Sequence, residues 1–311
     1  MAKRKPVTKK TKKSPARPKK RKSAPKAARP AASKIPLGLD VEVLGRSTQG
    51  RRYNWVPELP DHRDLLFAAA APATGALPTK VDLRPRCSPV FDQGRVGSCT
   101  GNALAGALEF LEVKALKDVT TKDEVEDPEY FGAKFAHVSR LFIYYNERVL
   151  EGKTAEDSGA TLRDGIKSLN KWGVCRESLW RYQPALVLEP PSKPAYAEAM
   201  KHRIAQYLKL TTLDEMKRCL AAGYPFAFGF TVFESFETAE VAASGKMPVP
   251  TSGERALGGH AVLAVGYDDA AKCLIVRNSW GPKWGERGYF YMPYAIIERL
   301  QLARDFWTVR R

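Results

Sequence analysis

Apolar positions recur at helical spacing through the middle of this chain and gather into short dense runs towards its C-terminus. From Cys99 onward, Leu104, Leu108 and Leu111 share one face, with Ala103, Ala107 and Ala115 beside them, which predicts a long buried helix. Ser98, after Gly97, is placed to cap it. Residues 139–150 predict a second helix, with Phe142, Ile143 and Tyr145 as its apolar stripe. Residues 161–172 predict a third, ended by Gly173. Thr212-Leu213-Asp214-Glu215 has the form of a capping box, opening a helix that Gly223 closes. Beyond Gly223 the pattern changes. Residues 226–233, 260–267, 273–278 and 288–292 are rich in β-branched and aromatic side chains and separated by turn formers, which predicts strands. Helices first and strands second indicate an α+β fold of two lobes, a helical one over about residues 99–205 and a β one over about 206–311. Residues 234–258 are polar and carry Gly and Pro, and predict a long loop leading into His260.

Charge changes the picture at one end only. The formal net charge is +17, but residues 1–34 hold 11 Lys and 4 Arg with no acid. The remainder carries 36 basic against 34 acidic groups and is nearly neutral. Residues 1–34 contain too little apolar surface to offset the entropy of ordering, so a disordered basic tail is expected. Such a tail suits nucleic acid or another polyanion, bound through its phosphates or other anionic groups without sequence reading. No aromatics interleave the charges, which argues against base stacking. Lys19-Lys20-Arg21-Lys22 also has the form of a nuclear localisation signal. Residues 35–76 form a transition, and the body is expected to start at residue 77. Tyr53 and Trp55 stand just before Pro57 and Pro60, which predicts that residues 50–66 form an extended arm across the body, the cleft being one course open to it.

Five cysteines, Cys87, Cys99, Cys175, Cys219 and Cys273, include no C-x-x-C pair, so neither a metal site nor a cofactor is expected. No apolar run is long enough to span a membrane, and no apolar stretch follows the basic N-terminus as a secretory signal would require. An intracellular, monomeric protein with free thiols is the expectation.

One cysteine stands apart from the others. Cys99 lies at the first turn of the long helix, where unpaired N–H groups and the helix dipole favour a thiolate. A thiolate attacks carbonyl carbon; a thiol does not. His260, after Gly258-Gly259, can exchange the proton. Asn278 can hold the imidazole in one orientation, and Gln93 can donate to a developing oxyanion beside the Cys99 N–H. A lone cysteine in a helix is usually core filler and a lone histidine is usually structural. It is the four together that point to acyl transfer through a thioester.

These residues sit in motifs that resemble the papain-like cysteine proteases. Asp92-Gln93-Gly94 with Gly97-Ser98-Cys99 is similar to the segment around their nucleophile. Gly259-His260-Ala261-Val262 is similar to their histidine strand, and Asn278-Ser279-Trp280-Gly281 with residues 284–289 to their asparagine motif. Leu77-Pro78-Thr79-Lys80-Val81-Asp82 resembles the start of a mature enzyme. The resemblance covers residues 77–311 and implies a papain-like two-lobed fold and a polypeptide substrate. It makes Cys99 the nucleophile, His260 the acid/base, Asn278 its orienter and Gln93 the oxyanion donor. Trp280 would shield the His–Asn contact, and Ser158-Gly159 would pair with substrate backbone. Three positions depart from the pattern: Val96 stands where a disulfide-bonded Cys is usual, Thr100 where Trp follows the nucleophile, and Gly259 where Asp or Asn precedes the histidine. Bacterial and large-virus relatives often lack that disulfide. Cys99 and His260 are 161 residues apart, beyond the usual separation, with 118–135 and 234–258 as candidate insertions. A cysteine endopeptidase is the first reading. The alternatives are a transamidase or peptide ligase on the same site, and a polyanion-binding protein using the fold as scaffold. The stretch before residue 77 is too short for a long helical inhibitory propeptide, so a short propeptide-like arm is expected instead.

Overall fold

The structure, a computed structural model, describes residues 50–70, 75–115 and 136–311. The basic tail and the candidate insertion at 118–135 lie outside these residues. After a single helical turn, α1 (Phe67–Ala70), and a short strand, β1 (Lys80–Asp82), the chain enters α2 (Cys99–Ala115). All but three of the 17 residues of α2 are buried, as befits a helix with neighbours on every side. Against it pack α3 (Arg140–Glu151) and α4 (Leu162–Lys171). Ser139 and Thr161 cap them by accepting from the Phe142 and Asp164 N–H groups. The short helix α5 (Lys193–Ala199) completes this lobe.

The second lobe is a seven-stranded antiparallel sheet. Its strands are β1, β2 (Gln206–Leu210), β3 (Phe226–Phe233), β4 (Ala256–Asp268), β5 (Cys273–Arg277), β6 (Tyr289–Pro293) and β7 (Ala303–Arg310). Their order is β2-β7-β3-β4-β5-β6, with β1 on the distal half of β4. The capping box of Thr212 and Glu215 forms as expected and opens α6 (Leu213–Ala221). Two cores result. One face of the sheet buries Phe228, Phe230, Phe290 and Phe306 with α6. From the other, Leu263, Val265 and Trp307 meet Leu104, Leu108 and Ile166 of α2 and α4. The helix α2 is thus clamped between the helical lobe and the sheet, so its first turn cannot shift without disturbing both.

Residues 234–258 are more ordered than a loop. They contain a 3-10 turn at Glu234–Glu237 and the helix α7 (Ala239–Ser244), and β4 already begins at Ala256. Thr238 caps α7 through the Val241 N–H, and Phe236 and Val241 anchor the segment in the sheet's core. A last turn, α8 (Tyr294–Ile297), leads to β7. All five cysteines are buried and none forms a disulfide. No helix among the described residues is long and apolar enough to cross a membrane.

Candidate active site

Three sequence-distant segments, 93–99, 260–261 and 278–280, converge at the start of α2. Cys99 is its first residue and is buried. The Ala261 backbone of β4 lies against its thiol, next to His260. His260 on β4 faces Asn278, the residue just after β5, with Nε2 lying 2.8 Å from Asn278 Oδ1. Asn278 Oδ1 also accepts the Ser279 N–H at 2.9 Å, which fixes the orientation of the amide. The oxygen therefore faces the ring, Nε2 carries the proton, and Nδ1 is left as the basic nitrogen. Nδ1 is buried and makes no hydrogen bond among the described residues. Trp280 stacks on the imidazole, with ring centroids 5.0 Å apart and planes 24° from parallel, and screens the His–Asn contact from water.

Gln93 is buried beside them. Its Oε1 accepts from Ser279 Oγ at 2.6 Å, and Nε2 donates to Val96 O at 3.0 Å. An amide has two N–H groups, so one remains to meet an oxyanion. The Gln93 N–H donates to Ser279 O at 2.9 Å, which sews the loop before Cys99 to the loop after Asn278. Arg277 reinforces this seam from below through the carbonyls of Ser88 and Pro89.

Thr100, which stands where an indole was the norm, donates to Glu147 Oε2 at 2.5 Å. Glu147 is wholly buried, its other oxygen makes no hydrogen bond among the described residues, and burial pushes its carboxyl up to about 8. A buried acid thus lies directly under the first turn of α2. Neither it nor Ser279 was singled out from the sequence; the Thr-for-Trp exchange was the only signal for the first.

Residues 51–58 run through the cleft between the lobes. The Trp55 N–H donates to Gly259 O at 2.9 Å on one side, and the Val56 N–H to Ala160 O at 3.1 Å on the other. Gly159, with φ at 76°, is pressed against the arm: a Cβ there would lie 1.7 Å from Asn54 O. The Trp55 ring fills the hollow over Gly229, where a Cβ would come within 1.9 Å of it. Tyr53 meets the His260 ring edge-on at 6.0 Å, and Arg51 lies 4.8 Å over the Trp280 ring. Ser158 Oγ is turned towards Gly159 O at 3.1 Å, so the two residues expected to bind substrate backbone are spanned by the arm. Glu58 then enters a buried socket, where its Oε1 accepts from the Arg163 N–H and from Trp307 Nε1. Burial and the nearby Asp305 push Glu58 up to about 7.

The covered site is electrically quiet. Burial pushes the Cys99 thiol up to about 12 and the His260 imidazole down to about 4, so each group is held neutral.

This constellation is shared with known proteins. A family model described as papain family cysteine protease matches residues 152–307. An uncharacterised peptidase C1-like protein of Acanthamoeba polyphaga mimivirus is 40% identical over 292 residues, 86% of this chain and 89% of its own length. The chain belongs to the papain family. Among solved structures, the family member xylellain, a cysteine protease from Xylella fastidiosa, is 40% identical with a TM-score of 0.72, over 85% of this chain and 97% of its own. Mouse pro-cathepsin H is 28% identical over 73% of this chain and 62% of its own. As a papain-family member the protein is a cysteine-type peptidase, a hydrolase of α+β two-lobed fold acting on polypeptide.

Proposed function

We propose that the protein is an endopeptidase that cleaves through a thioester on Cys99. The observation that carries this reading is the His260–Asn278 bond at 2.8 Å, which leaves Nδ1 free on the strand that passes Cys99. In the reaction, Nδ1 takes the Cys99 proton and the sulfur adds to the scissile carbonyl carbon. The oxyanion is met by the Cys99 N–H and the spare Gln93 N–H. His260 returns the proton to the departing amine as the C–N bond breaks. Water, deprotonated by His260, then attacks the thioester; the acid leaves and the thiol re-forms.

The arm is read as a short propeptide-like cover. It holds both partners out of water, where the thiolate–imidazolium pair is disfavoured, so catalysis requires it to leave. Incubating the pure protein and sequencing new N-termini tests this; an active enzyme with an intact N-terminus counts against it.

The central assignment is tested by Cys99→Ala, which is expected to abolish both peptide hydrolysis and labelling by a thiol-directed covalent inhibitor. Labelling confined to Cys175 or Cys273 in the parent protein would overturn it. Adding an amine nucleophile and analysing products separates hydrolysis from transamidation or ligation.

A further inference from the structure

We propose that Asp157 is a specificity-determining residue, and that it receives a lysine or arginine side chain of the substrate where Arg52 of the arm now lies. The inference rests on the endopeptidase reading and names the substrate feature that reading leaves open.

Asp157 immediately precedes Ser158-Gly159 on the cleft wall. Its carboxylate is aimed before any ligand arrives. Oδ1 accepts from Tyr144 OH at 2.5 Å and from the Gly97 N–H at 3.0 Å, two residues ahead of Cys99. The carboxylate is therefore fixed relative to the nucleophile's own loop. Oδ2 takes Arg52 Nη1 at 2.8 Å, and the Asp157 carbonyl accepts from Asn54 Nδ2 at 3.1 Å. Only 12% of the Asp157 side chain is exposed, against 38% of Arg52. The acid belongs to the wall, and the base reaches it from the cleft.

Among the described residues, Arg52 is the only cation within ion-pair distance of Asp157. When the arm leaves, a mostly buried carboxylate keeps its two neutral donors and loses its counter-ion. A charge so placed is costly without a partner, and an incoming basic side chain restores one. A neutral side chain does not, and an acidic one is repelled. A charge-assisted hydrogen bond at a rigid acceptor is stronger than a neutral one. The partial exposure of the base moderates that gain, so discrimination of about 3- to 10-fold over an uncharged residue is expected.

The test uses full-length chains in which Trp55→Ala loosens the arm. A positional-scanning set of peptides carrying Arg, Lys, Gln, Leu or Glu is measured for kcat/KM. The same set is measured for binding, by fluorescence polarisation, to the Trp55→Ala chain that also carries Cys99→Ala. One position is expected to favour Arg and Lys over Gln and Leu by about 3- to 10-fold and to disfavour Glu. Adding Asp157→Asn, which keeps an oxygen for Tyr144 and Gly97, is expected to bring the Arg-to-Leu ratio near one. The ratio is internal to each variant, so a general loss of folded protein cannot imitate the result. A basic preference in binding without cleavage sustains the Asp157 assignment and removes the endopeptidase reading. No basic preference at any position in either assay, or one that survives Asp157→Asn, overturns the assignment.

Discussion

Trp55→Ala should uncover the nucleophile by an amount the packing allows us to bound. The ring is 5% exposed and seated on Gly229 and Gly259, and truncating a buried Trp to Ala costs about 3–5 kcal/mol. Its Nε1 is buried without a hydrogen-bond partner among the described residues, a penalty of about 1–3 kcal/mol that the variant no longer carries. The net loss of arm docking is then about 2 kcal/mol. At roughly 1.4 kcal/mol per decade this opens the arm about 30-fold more often. If iodoacetamide reaches Cys99 only through the open form, its second-order rate constant should rise by the same factor. Alkylation is followed by mass spectrometry of the Cys99 peptide, with Cys99→Ala as blank. Gly229→Ala attacks the contact from the other side, since its Cβ and the ring cannot coexist. The double variant should therefore react little faster than the better single one. A rate for Trp55→Ala within twofold of the parent would refute the reasoning, because the ring would then not hold the cover in place.

Other consequences concern the chemistry beneath the arm. Gln93→Ala should lower kcat by about 100- to 1,000-fold, the usual loss for an oxyanion donor, with little change in substrate affinity. Ser279→Ala, which frees the Gln93 amide, should cost about tenfold through the loss of one hydrogen bond. An equal effect of Ser279→Ala in the Gln93→Ala background would show that the hydroxyl acts elsewhere. Glu147 is raised in the folded state to about 8, so its contribution to stability is full below the ordinary carboxyl value of about 4.5 and is lost as pH rises through 8. Glu147→Gln removes that dependence. Its melting temperature relative to the parent should improve between pH 5 and pH 9, by the equivalent of about 2–4 kcal/mol, and a constant gap across that range would contradict a buried acid that takes up a proton.

The elements most legible in the sequence were those with a local signal. Thr212 and Glu215 announce a helix start by their spacing alone, and Thr161 and Gly173 bracket α4. The strands β2 and β7 gave no such signal. β2 is five residues long with an exposed end, and β7 is buried along most of its length because it lies between β2 and β3, a fact set by partners nearly a hundred residues away. The segment 234–258 read as a loop because its short helix depends on Phe236 and Val241 reaching the sheet, which local composition does not report. At the site, the meeting of Cys99, Gln93, His260 and Asn278 was legible because acyl transfer needs a thiol, an imidazole and amides in one place. Their bonding was not. That Gln93 is held by Ser279, that Thr100 rests on Glu147 and that Asp157 faces the cleft all depend on contacts between segments. The aromatic and proline pattern after Arg52 pointed to an extended arm, but the pocket for Trp55 exists because Gly229 lacks a side chain on a different strand.

That absence of a side chain restricts how the protein can change. Gly159 and Gly229 admit the arm's backbone and ring, and any substrate must enter through the same cleft. A larger residue at either position would weaken the cover and narrow the entrance together. On the proposed reading of the arm as a cover, heritable loosening of control is therefore channelled away from the cleft wall and into residues 51–58. That short stretch makes none of the catalytic bonds and can drift towards tighter or looser closure while the machinery beneath it stays fixed.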